Sequence, residues 1–102
     1  MTANSSNKTF RDNEEKNRFE LQSGNIIAFV DYIINKKGTI YLTHTEVPKE
    51  AEGQGFAKEL LENVFQEIEE RELELVPICP FVKAYLQRKP EWKKLLADFA
   101  QF

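Results

Sequence analysis

Between Thr39 and Lys58 the chain reads TIYLTHTEVPKEAEGQGFAK, a strand-like apolar run, a Pro-marked turn, two glycines and then a helical pattern. That order of elements builds an anion cradle. Glycine at Gly53 and Gly55 opens backbone conformations closed to other residues, so amides from Glu52 to Ala57 can converge on one point. Unpaired first-turn N–H groups and the helix dipole favour a negative ligand there. The longer phosphate fingerprints are missing, because no GxxxxGK[ST] is present and no GxGxxG completes itself after Gly55. A lone GxG before a helix is also what a tight loop closing against a strand looks like, so this feature alone leaves both readings open.

The rest of the pattern supplies the sheet and its cover. Phe19 and Leu21 alternate with Glu20 and Gln22, Ser23-Gly24-Asn25 signals a turn, and Ile26 to Ile34 is β-rich, which together read as a hairpin. A second turn at Asn35 to Gly38 leads into Thr39 to Val47, completing an antiparallel meander of three strands. Ile26 to Ile34 is apolar on both faces apart from Asp31, as in a central strand covered on both sides. After Gly55 the period changes, and Ala57, Leu60, Leu61, Val64 and Ile68 fall at helical spacing. Glu74 to Ile78 suits a fourth strand, parallel to the third and reached by a helical crossover. Pro80 opens a helix to about Arg88, and Pro90 a last one with Trp92, Leu95, Leu96 and Phe99 as its apolar stripe. The expectation is an α/β fold with a four-stranded mixed sheet. Its domain covers residues 14–102, preceded by a flexible polar tail over 1–13.

Composition narrows the function classes. With 102 residues and 41% hydrophobic content, one small domain with a real core is expected, and no apolar run approaches a membrane span. The polar start MTANSSNKTFRDNEEKNR lacks the apolar segment of a secretory signal, which reads as cytoplasmic. A single cysteine excludes an internal disulfide and argues against a thiolate-built metal site. The net charge of -3, with no long basic block, gives no reason to expect nucleic acid and is compatible with a cationic substrate. A small domain with an exposed edge strand reads as a monomer or weak dimer.

Three reactive side chains stand where predicted strands end: His44 late in the third, Cys79 just past the fourth, and Tyr85 on the next helix. Adjacent parallel strands flank a crevice at their C-terminal ends, where open α/β sheets bind ligands. Simple alternation puts His44 on the face of Ile40 and Leu42, which also suits a hydrogen-bonded core histidine. A lone Cys79 is commonly an inert small hydrophobe, and Tyr85 commonly packs.

HTEVPKEAEGQGFAKELL followed by VPICPFVKAYLQRKPEW resembles a small single-domain branch of the GNAT superfamily of N-acetyltransferases, over roughly Phe19 to Leu96. The resemblance implies acetyl-coenzyme A as cofactor, an amine as acceptor, and loop amides holding the pyrophosphate. The superfamily's loop pattern is met by Gln54, Gly55 and Ala57, while its Arg or Gln position is Glu52, an acid that would repel pyrophosphate if it pointed inward. It further implies that Thr43 to Val47 and Val76 to Cys79 splay into a V around the pantetheine arm. The implied cofactor contacts are Thr45, Glu46, Val47, Glu52, Gly53, Gln54, Gly55, Phe56, Ala57, Lys58, Cys79 and Phe81.

A lysine-type amine has a pKa of about 10.4, so its attack on a thioester needs a base, and His44, with a reference pKa of about 6.5, is the natural candidate. Strand amides would stabilise the oxyanion. By the resemblance Tyr85 would protonate the departing thiolate, although it stands one place from the usual position, where this chain has Leu86. Beside His44, Cys79 could instead accept the acetyl group first. A coenzyme A-binding sensor or interaction module without catalysis, and a plain protein-binding domain, are the rival readings.

Overall fold

The period change read from the sequence marks a real boundary: strands dominate before Gly55 and helices after it. The structure, a computed structural model, describes residues 7–102. Strands β1 (Thr9–Asn13), β2 (Arg18–Ser23), β3 (Ile26–Ile34), β4 (Thr39–Glu46) and β5 (Glu74–Pro77) form one sheet in that order. The first four pair antiparallel, and β5 joins parallel to β4. Helix α1 (Phe56–Glu70) makes the crossover between the parallel pair, and α2 (Pro80–Arg88) follows β5.

The apolar stripe of α1 holds the molecule together. Phe56, Leu60, Leu61, Val64, Phe65 and Ile68 are all buried against Phe19, Leu21, Ala28, Val30, Ile40 and Leu42 from the sheet. Residues directly opposite one another on neighbouring strands share a face, and those inward residues keep the register Leu21 with Ala28 and Phe19 with Val30. The helix α2 lies on the same side, where Tyr85 packs on Phe65 with ring centroids 6.0 Å apart. Among the described residues, cover therefore comes from one side only. Ile27, Phe29, Asp31 and Ile33 point to the other side, with Ile33 60% exposed, so β3 is central without being covered on both faces as expected.

Two further expectations are corrected. The sheet has five strands, because Thr9–Asn13, assigned to a flexible tail, is β1; the first six residues of that tail lie outside the described residues. Its sequence TFRDN is poor in strand formers, yet each side chain from Phe10 to Asn13 finds a partner across the sheet: Phe10 stacks on Phe19 at 5.8 Å, Arg11 and Asn13 bond Glu20, and Asp12 accepts from Tyr32 Oη at 2.6 Å. The last predicted helix is replaced by short 3-10 turns at Pro90–Leu95 and Asp98–Ala100. Leu96 leaves helical geometry to lie beside Leu75 on β5, where the Ala97 amide donates to the Leu75 carbonyl at 2.9 Å, and Phe99 ends up 72% exposed rather than in the stripe. Among the described residues no helix is long and apolar enough to cross a membrane.

Candidate functional site

The register between β3 and β4 breaks once, at the position that matters most. Asp31 pairs with His44 but Tyr32 pairs with Leu42, so Thr43 is an extra residue in β4. Such a bulge shifts the alternation by one place and re-aims the residues beyond it. His44 accordingly leaves the face of Ile40 and Leu42 and stands on the open face, near the Phe29 ring at 6.4 Å and with its Nε2 3.6 Å from Glu46 Oε2. Its side chain is 58% exposed. Thr45 takes the inward place, opposite Val30.

The same region is where the parallel pair comes apart. The ladder between β4 and β5 ends at Leu42 with Pro77, and the Leu42 carbonyl accepts from both the Ile78 and the Cys79 amides at 3.0 Å. Beyond it, β4 continues to Glu46 while β5 has turned into α2, so the two strands are no longer paired. Cys79 fills this place as the N-cap residue of α2, buried, with its Sγ 3.4 Å from Thr45 Oγ1. Burial pushes the thiol up, but the Thr45 hydroxyl and the amides of Val82, Phe81 and Thr45 outweigh it, and the net shift is downward.

Cys79 and His44 are thus not joined. The sulfur's partner is Thr45 and the imidazole's is Glu46, and the bulge puts the two on opposite faces of β4, so the expectation of a thiol activated directly by its neighbouring histidine is corrected. Tyr85 is engaged elsewhere. Its hydroxyl donates to Glu62 Oε2 at 2.5 Å, the Trp92 indole donates to the same oxygen at 3.2 Å, and burial together with the Glu62 carboxylate raises its pKa above the ordinary phenol value. A phenol so held binds α2 to α1 and is a poor proton donor.

The glycine loop has the positive-φ turn that the sequence asks for, while the Glu52 and Gln54 amides donate within it to the Lys49 and Ala51 carbonyls at 3.1 and 3.2 Å. Gly53 and Gly55 both have φ of 80°, and Gly55 is the left-handed N-cap of α1. Gln54 does not enter the cradle through its side chain, whose amide donates to the Glu50 carbonyl at 2.8 Å. Around the loop lies an open pocket of about 320 Å³, lined by Val47, Ala51, Glu52, Gly53, Gly55, Phe56, Ala57, Lys58, Phe81 and Arg88. Of the residues named in advance, Val47, Glu52, Gly53, Gly55, Phe56, Ala57, Lys58 and Phe81 are therefore gathered at one cavity. Arg88 was missed. It ends α2, thirty residues from Lys58, with its guanidinium 5.6 Å from the Tyr85 ring, and only the helical period of α2 hints that it shares a side with Phe81.

The pocket suits an anion that also carries apolar parts. The loop glycines, the N-terminus of α1 and the cations Lys58 and Arg88 line it together with the apolar side chains of Val47, Ala51, Phe56 and Phe81. The acid at Glu52 lines the same pocket, and Lys58 and Arg88 offset it.

Comparison with known proteins gives the family and the fold. A family model described as GCN5-related N-acetyl-transferase matches residues 18–95. Among solved structures, the NMR solution structure of a candidate GCN5-like N-acetyltransferase from Staphylococcus aureus is similar with a TM-score of 0.70 and 25% sequence identity, covering 90% of this chain and 90% of that one. Comparison with curated proteins finds no match.

Proposed function

This chain belongs to the GCN5-related N-acetyl-transferase family, and we propose that it binds acetyl-coenzyme A and transfers the acetyl group to an amine. The observation that carries the reading is the pocket at Gly53, Gly55, Lys58 and Arg88, together with the end of strand pairing past Leu42 and Pro77. Bound acetyl-coenzyme A would supply an acetyl thioester, whose C–S bond breaks as the amine nitrogen forms a C–N bond, releasing the coenzyme A thiol.

The chain's own residues divide the remaining work. The amides of Gly53, Gly55, Phe56 and Ala57, with Lys58 and Arg88, hold the diphosphate, and Thr45, Glu46 and Val47 offer the edge of β4 to the pantetheine arm. Helices fill the inner side, so the amine arrives from the open face. His44 stands on that side and takes the proton that the amine must lose. This gives the bulge at Thr43 a catalytic purpose, since with the same residues in plain alternation the imidazole would be in the core. Cys79, at the N-cap of α2 beside Thr45 and with a lowered pKa, serves best as a polar wall that can exchange a proton with the leaving thiolate. Direct transfer fits this geometry better than an acetylated Cys79, because no base is bonded to the sulfur.

Titration calorimetry with acetyl-coenzyme A tests the reading: saturable binding is expected, and its absence at high micromolar ligand would sink it. Arg88→Ala should weaken binding roughly tenfold, the scale of one charge-assisted contact to phosphate. The second reading, a coenzyme A-binding module without catalysis, is favoured by the separation of His44 from Cys79 and by the engagement of Tyr85 with Glu62. Binding without release of free thiol across a panel of amines would select it.

A further inference from the structure

The open face of the sheet carries a specific charge arrangement around His44. Asp31 is directly opposite on β3 and Glu46 lies two residues along β4, so two carboxylates flank the imidazole at about 5 and 7 Å between backbones. The arginines of the same face offset them only in part, since Arg11 and Arg18 share the single carboxylate of Glu20 and the face keeps an acidic excess beside His44. Arg18, although opposite Asp31, lays its guanidinium 4.2 Å from the Phe29 ring centroid and bonds Glu20 Oε2 at 2.6 Å, and Arg11 bonds Glu20 Oε1 at 2.9 Å. Among the described residues the Asp31 side chain has neither a hydrogen bond nor an ion pair. Around these acids the surface is half-exposed and apolar: Phe29, Ile27, Ile33 and Tyr41.

We propose that the acceptor is a lysine side chain within a basic peptide segment that lies along this face. The inference rests on the acetyl-transfer reading and names the substrate class for it. Carboxylates beside the base favour an ammonium approaching it and the cations of neighbouring residues. The apolar strip suits the aliphatic stems of Lys and Arg, and Phe29, already under one guanidinium, shows the ring contact such a side chain makes. Small-molecule sites are concave, whereas both α-helices pack on the other face and leave this one an open plane, which accommodates an extended chain.

The test compares lysine peptides of equal length with basic, neutral and acidic flanks, and spermidine, by kcat/KM and by direct peptide binding to the protein without coenzyme A. The basic peptide should exceed the neutral one about tenfold at low salt, with the advantage shrinking as salt rises. Asp31→Lys should remove that preference while acetyl-coenzyme A binding by calorimetry stays unchanged, which also reports that the variant is folded. Transfer indifferent to flanking charge, or spermidine preferred over every peptide, overturns the inference and leaves the acetyl-transfer reading standing. Failure to bind acetyl-coenzyme A removes that reading itself, and the comparison of peptides on the unaltered protein stands even if Asp31→Lys misfolds.

Discussion

Glu20 shows how far a single residue departs from what its neighbours in sequence suggest. It is an acid in an alternating strand, an ordinary solvent-facing position, yet it is 1% exposed because Arg11, Asn13 and Arg18 close over it from two strands. Burial alone would raise its pKa, but the hydrogen bonds from Arg18, Asn13 and Arg11 win and lower it from 4.5 to about 2. A depressed carboxylate stabilises the fold above its unfolded pKa, so this contribution is complete above about pH 4.5 and is lost as pH falls toward 2. Glu20→Gln should therefore cost about 2 kcal/mol in urea unfolding at pH 7 and flatten the acid limb between those two values. An acid limb as steep as the parent's would show that the pairing contributes nothing. Legibility at this scale was uneven. The loop residues from Glu52 to Lys58 could be named because glycine announces its own backbone need, whereas Arg88 could not, since an arginine ending a helix looks the same whether or not a pocket adjoins it.

The bulge is the element-scale device on which the proposed chemistry turns. Thr43 is one residue in eight of β4, and its side chain reaches the Asp31 carbonyl at 3.4 Å. Deleting it would remove the extra residue and leave Leu42 inward, His44 outward and Thr45 inward in plain alternation, while straightening the strand where the bulge bends it. The expected result is near-parental stability in urea unfolding with lowered amine acetylation, because the bend no longer aims the imidazole. A deletion variant of parental turnover would mean that the bulge does not position His44. Strands β2 to β5 and helices α1 and α2 were readable because each repeats one period over enough residues to be counted. Strand β1 was not, since five residues with Asp and Asn among them look like a polar tail until their cross-strand partners are known.

At the scale of the whole molecule, one sheet face carries both helices and the other is open, so stability is concentrated between α1 and β2 to β4. Hydrogen exchange should be slowest for amides of β3, β4 and α1, and much faster in β1 and beyond Leu96, where the backbone is held by an edge strand and short turns. Uniform protection across all five strands would contradict this picture. The amino-acid sequence by itself determined the order of elements, the crossover between parallel strands and the two-glycine turn before α1, because these depend on local periodicity and on glycine's freedom. Only the tertiary structure decided which way His44 points, that Tyr85 is spent on Glu62, and that Arg88 joins the pocket. Each of these depends on register or approach between segments distant along the chain, and no local pattern encodes a distance between them.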